Sequence, residues 1–213
     1  MLSSHNATGQ DCCPSAEALP RRILVKHASY FGWALAGAVA ACGTLPPPPD
    51  TAQLPPGVFS PLDQDVPATQ YAQFAFADPS RTYGNPVAGA QAVLAMDYIA
   101  GQLNTSPRWA GIDASIQQEL LQGRVQTRQA VGIAAGAPSQ LVVNSLVAAR
   151  NDLASGDQAA AAQALSNPAF TKGGEQTVVA LANLPYIQIA NVATTHAGEA
   201  LFGPGDSESN RPE

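Results

Sequence analysis

From residue 86 onward, apolar residues recur every three or four positions, the spacing that gathers side chains on one face of a helix. Val93, Met96, Ala100 and Leu103 form such a stripe within a predicted helix from Pro86 to Asn104, with Pro86 suited to the first turn. A second helix is predicted from Asp113 to Ala134. Ile116, Leu120 and Leu121 supply its apolar face, Ser115 and Gln118 have capping-box spacing, and Gly136 and Pro138 close it. Val142, Leu146, Ala149 and Leu153 mark a third helix over Ser139 to Ser155. Gly156 stops it, and Asp157 caps a short fourth helix through Leu165. The longest pattern runs from Glu175 to Leu201. Val179, Ala182, Tyr186, Ile189, Ala193, His196 and Ala200 alternate steps of three and four, and Pro185 predicts a kink in one continuous helix.

The residues before this region read differently. Prolines at 46, 47, 48, 49, 55, 56, 61 and 67 argue against helix and for an extended, semi-rigid spacer. Gln70 to Phe76 alternates polar and apolar residues, the pattern of a short strand or extended arm. With Tyr71, Phe74, Phe76 and Tyr83 it is the most aromatic stretch, and it is expected to drape over the helices and cover apolar surface unless a partner takes its place. The organisation expected is an N-terminal extension and signal over 1–41 and a Pro-rich linker with the aromatic arm over 42–76. An all-α domain over 77–202, a four- to five-helix bundle, and a polar disordered tail over 203–213 follow. The chain has 40 alanines, so the helices must approach closely and rely on few Leu, Ile and Val anchors. Asn151 to Ala160 resembles the turn of a tetratricopeptide-type hairpin, without that repeat's 34-residue period.

The N-terminal region changes the picture most. Ala28 to Ala41 is uncharged and about 21 Å long as a helix, short of the ~30 Å of bilayer hydrocarbon. Arg21, Arg22 and Lys26 precede it, and Val39-Ala40-Ala41-Cys42 ends it. This arrangement resembles the export signal of a bacterial lipoprotein precursor. The resemblance implies cleavage before Cys42, a lipid on that cysteine, and anchorage facing the periplasm. Gly43, where many inner-membrane lipoproteins carry aspartate, points to the outer membrane. A buried core helix and ordinary cleavage after Ala38-Val39-Ala40 are the other readings of the same residues. Arg21-Arg22-x-Leu24-Val25-Lys26 also resembles a twin-arginine motif, with Pro20 departing from it, so general and twin-arginine export both stay open. Residues 1–19 are either a translated extension or lie upstream of a start near Leu19 or Leu24. Of Cys12, Cys13 and Cys42, cleavage leaves only the last, so no disulfide within the mature chain is expected.

Charge narrows the partners. Cleavage before Cys42 leaves seven basic and 14 acidic residues, a net charge of −7 without clustered cations, which argues against nucleic acid. Arg124 and Arg128, at i and i+4, could contact an anion jointly, although a solvated helix face beside Glu119 accounts for the same spacing. His196 is the one histidine after the signal. Its place on the long apolar stripe predicts a buried, hydrogen-bonded ring. No G-x-S-x-G elbow, Walker loop or C-x-x-C occurs, and Asp97, Asp113, Glu119, Asp152, Glu175 and Glu199 are candidate carboxylates by type only. No catalysis, metal or cofactor is expected. Two function classes remain. One is a lipid-anchored structural or interaction module with an envelope protein partner. The other is a small-molecule-binding helical domain with a pocket beside the Pro185 kink, lined by Tyr186 and His196.

Overall fold

The computed structural model describes residues 49–203. The predicted signal with Arg21, Arg22 and Lys26, the lipidation site Cys42, and the tail from residue 204 lie outside the described residues. Within them the chain forms seven α-helices: α1 (Asp65–Ala77), α2 (Pro86–Thr105), α3 (Ala114–Val131), α4 (Ser139–Ala154), α5 (Gln158–Ala164), α6 (Gly174–Ala182) and α7 (Gln188–Phe202). Short 3-10 turns at Pro79–Arg81 and Pro107–Trp109 join α1 to α2 and α2 to α3. The all-α expectation holds, with more and shorter helices than a four- or five-helix bundle.

Small residues set the packing. α2 is central: Val93, Leu94, Met96, Ile99 and Leu103 are fully buried, and its alanines and glycines let neighbours approach from several sides. It packs against α1, α3, α4 and α6. On one side α7 bridges α1 and α3; on the other α5 bridges α4 and α6. The closest approaches fall at glycine. A Cβ on Gly89 would lie 1.9 Å from the Leu181 carbonyl oxygen, and one on Gly174 would lie 1.8 Å from that of Ala162. Backbone meets backbone there, a contact that any side chain would prevent.

The predicted extended arm is a helix. Asp65, Thr69, Ala72 and Phe76, together with Ala68 and Ala75, are buried at helical spacing, while Phe74 points outward. The large aromatics suggested alternation, but the small residues between them form the packing face. Pro67 does not prevent this, because it sits in the first turn, where its missing N–H has no intrahelical acceptor to satisfy. α1 does cover apolar surface, lying across α2 and α7.

Residues 50–64 are not a free spacer either. The Asp50 carboxylate accepts the Ser139 N–H at the start of α4, and Arg124 donates to the Asp50 carbonyl at 2.7 Å. Ala52 is buried, Gln53 and Gln140 exchange two hydrogen bonds (2.8 and 3.0 Å), and Arg150 donates to the Val58 carbonyl at 3.2 Å. The folded domain therefore begins near residue 50 instead of 77.

The long C-terminal helix is divided into α6 and α7. Pro185 lacks an N–H and biases Leu184 toward extended backbone, so helix stops at Ala182 and resumes at Gln188. Leu184 and Ile187 use the break to enter the core, and Val179, predicted on the apolar face, is left exposed. α3 also ends early, at Gly132 (φ 83°), a left-handed C-cap, four residues before Gly136. Its N-cap is Asp113, whose carboxylate accepts from both the N–H and the hydroxyl of Ser115, replacing the expected Ser115–Gln118 box. Gly156 and Asp157 act as predicted: the first takes φ 85°, and the second accepts the Ala160 N–H at 2.9 Å to start α5.

Candidate functional site

Arg128 is buried and so is Asp97, at the middle of α2. Arg128 Nε and Nη2 donate to the two Asp97 oxygens at 2.6 and 2.8 Å, a bidentate pair. The remaining donors reach the Ala137 carbonyl and the Ser139 hydroxyl, both at 2.8 Å. This corrects the reading of Arg124 and Arg128 as a solvated face beside Glu119, and Arg128 already holds an anion, the protein's own. Arg124 joins the same network through Ser139 and Asp50, and burial lowers its pKa. The cluster fastens α2, α3, the α3–α4 link and the incoming segment at one point.

A second cluster surrounds Asp65. Tyr98 donates its hydroxyl to Oδ1 at 2.5 Å and Trp109 its Nε1–H to Oδ2 at 2.7 Å. Arg108 lies 3.6 Å from Oδ2, donates to Asp63 at 2.6 Å, and stacks over the Trp109 ring at 4.4 Å. Burial, then the Asp65 hydrogen bond, pushes the Tyr98 phenol well above its ordinary range. The Arg108 hydrogen bond holds the Asp63 carboxyl below its usual value. A polar cleft of about 310 Å³ opens beside them, lined by Ala52, Leu54, Leu62, Asp63, Gln102 and Arg108. Both oxygens of Asp65 are occupied, so the group acts as a clasp between the 50–65 segment and α2.

His196 stands apart from both clusters. Its side chain is 44% exposed and its Nδ1 lies 2.7 Å from Glu119 Oε2, bridging α7 to α3. The buried ring expected from the stripe is absent because dividing the long helix re-registered its C-terminal half. Tyr186 lies in the 183–187 link and is exposed. The crevice it lines with Phe76, Pro79, Thr82, Leu184 and Ile187 measures about 10 Å³, scarcely room for one water, and His196 is not among its walls. The structure does not bring Tyr186 and His196 together around a common space.

What does come together is a set of exposed apolar side chains at one end of the domain. Tyr83 is 72% exposed, Val179 62%, Tyr186 55% and Phe74 53%. The Gly84 N–H donates to the Ala182 carbonyl at 2.8 Å, which seats the Tyr83 turn against the end of α6. Tyr186 follows that end directly and shares its crevice with Pro79 and Thr82. Arg81 covers one face of Phe74 at 4.3 Å. Beside Val179 a shallow depression of about 570 Å³ runs along α6 between Lys172, Glu175, Gln176 and Asn183. No known family model, curated protein or solved structure matches the chain. The function must therefore be argued from these surfaces.

Among the described residues no group of three or more His, Cys, Asp or Glu side chains could hold a metal ion, and no helix is long and apolar enough to cross a membrane. Sequence reasoning missed Asp65, Tyr98, Trp109, Arg108 and Asp63 as a cluster. One signal was available: Asp97-Tyr98 interrupts a nearly unbroken apolar run in α2, and a carboxylate there must find a buried partner.

Proposed function

We propose that this chain is an exported, lipid-anchored protein of the bacterial cell envelope, facing the periplasm. Its helical domain is a non-catalytic docking module for an envelope protein. The anchor reading is supported by Arg21, Arg22 and Lys26, the uncharged run that follows them, and Val39-Ala40-Ala41-Cys42. Gly43 favours the outer membrane. The observation that carries the docking role is the convergence of Tyr83, Tyr186, Phe74 and Val179, drawn from three separate stretches of chain, at one end of the domain; the other exposed large apolar residues among those described, Leu62, Val125 and Leu141, lie elsewhere. Tyrosines and apolar residues beside a shallow groove are the composition of protein interfaces, where amphipathic rings contribute area at low entropic cost.

Two measurements test the two halves. Intact mass of the protein from a membrane fraction is expected to give a chain beginning at Cys42 with added acyl mass, lost in Cys42→Ser. A chain beginning at Ala41, or one retaining residues 1–41, overturns the anchor. Photo-crosslinking in cells from a benzophenone amino acid at 83 or 186 is expected to give the same discrete protein adduct, absent when the probe sits at Asp152 in the last turn of α4. Equal adducts from all three positions would refute the docking surface.

A further inference from the structure

Resting on the lipid-anchor reading, the structure also bears on which way the domain faces. Asp50 is fixed to the domain by its carboxylate on the Ser139 N–H and its carbonyl on Arg124, and the next residue, Thr51, packs on Gly101 so closely that a Cβ there would come within 2.8 Å of the Thr51 Cα. Only eight Cα–Cα steps separate Asp50 from Cys42. Whatever their conformation, eight steps reach no further than about 28 Å. The described domain, by contrast, is about 40 Å across on the usual scaling of size with chain length. A lipid on Cys42 thus holds the Asp50 side of the domain near the bilayer surface.

The fold decides what lies on that side. Asp50 and Thr51 meet α2 at Gly101, near its C-terminal end, whereas the Tyr83 turn meets it at its N-terminal end. The intervening turns of α2 separate the two by about 24 Å at 1.5 Å per residue. Bringing the Tyr83 end to the lipid would draw the eight-step tether close to its full length, an arrangement with little conformational freedom left. The opposite orientation leaves the tether slack.

The chemistry of the near side agrees. Leu62 is 97% exposed and borders the cleft formed by Ala52, Leu54 and Gln102. Leu141 is exposed on the first turn of α4, next to Gln140, which grips Gln53. The cations of this side are engaged, Arg124 with Asp50 and Arg108 with Asp63. The net charge of −7 after Cys42 disfavours attraction to anionic lipid.

We infer that the face around Asp50, Leu62 and Leu141 rests against the phospholipid bilayer that holds the Cys42 lipid, through apolar contact, and that the Tyr83–Tyr186 end points away from it. The acylated full-length mature protein, in phosphatidylcholine vesicles carrying a trace of rhodamine-labelled lipid, provides the test. Acylation consumes the Cys42 thiol, so Leu141→Cys or Val179→Cys supplies a single site for a donor fluorophore, and both positions are exposed. Donor quenching by the labelled lipid is expected to be several-fold stronger from 141 than from 179, and unchanged in molar sodium chloride. Equal quenching, stronger quenching from 179, or quenching at 141 abolished by salt overturns the inference while leaving an acylated mass intact. An unacylated Cys42 overturns the anchor reading and this orientation with it.

Discussion

Replacing Asp97 by alanine isolates the clearest energetic claim of the structure. Asp97 is 1% exposed and Arg128 5%, and the carboxylate accepts two of the guanidinium's four hydrogen bonds. Removing it leaves a buried positive charge facing a cavity, with only the Ala137 carbonyl and the Ser139 hydroxyl as acceptors. Breaking a buried pair by deleting one partner costs about 3–5 kcal/mol, because the uncompensated charge remains. For a domain of this size, each kcal/mol lowers Tm by roughly 2–4 °C, so Asp97→Ala is expected to melt about 6–20 °C lower. The matching urea midpoint should fall without a change in m, since the unfolded surface is the same. The double variant Asp97→Leu/Arg128→Met removes both charges and fills similar volume. It is expected to cost far less than the sum of its single changes. Thermal and urea melts of the wild type, Asp97→Leu, Arg128→Met and the double variant complete the cycle. A loss below about 1 kcal/mol in Asp97→Ala, or additivity in the double variant, would refute the argument that this pair is dry and mutually dependent.

Three further outcomes follow from local geometry. Gly89→Ala should destabilise by about 1–3 kcal/mol in urea, because its methyl would meet the Leu181 carbonyl at 1.9 Å. Gly111→Ala, with open space around it and no left-handed φ, should be neutral or stabilising by about 0.4–1 kcal/mol. Asp63 has its pKa lowered by Arg108, so its contribution to stability is present above the ordinary carboxylate value of 3.8 and is lost as pH falls through the folded value. Asp63→Asn should therefore flatten the acid limb of stability against pH measured by urea titration. Tyr98 has its pKa raised, chiefly by burial, so its contribution is present below the ordinary tyrosine value of 10.0 and is lost as pH rises through the folded value. Its phenolate absorbance should appear only as the domain unfolds in alkali, and Tyr98→Phe should remove that component.

The sequence pattern was most legible where one large residue per turn marks the buried face. α2, α4 and α5 lie within a residue or two of their predicted limits, and Gly156 and Asp157 do what their chemistry implies. It was least legible where the buried face is made of alanine, threonine and glycine. α1 hides Ala68, Thr69, Ala72 and Ala75 and turns Phe74 outward, so reading hydrophobicity by size inverted the face. Proline misled in both directions: Pro67 sits harmlessly in a first turn, while Pro185 ends a helix instead of bending it. The polar clusters depend on partners 31 to 45 residues apart, such as Asp97 with Arg128 and Asp63 with Arg108, and no local spacing encodes such pairs. The exposed aromatic end is likewise a product of tertiary folding, since Tyr83 and Tyr186 are 103 residues apart and adjoin only because the Gly84 turn meets the end of α6.

The seating of α7 between α1 and α3 also sets an order of events in folding. The first and last helices of the described residues are direct neighbours, and Asn191 Nδ2 donates to the Phe76 carbonyl at 3.1 Å across a separation of 115 residues. Such contacts raise the contact order above that of a bundle whose neighbours are consecutive, and folding slows as the loops that must close lengthen. A nascent chain that has emerged only as far as α6 leaves the inward faces of α1 and α3 without their cover. The domain closes only when α7 is released, so its unfinished form, with those two faces open, is what a chaperone encounters during synthesis.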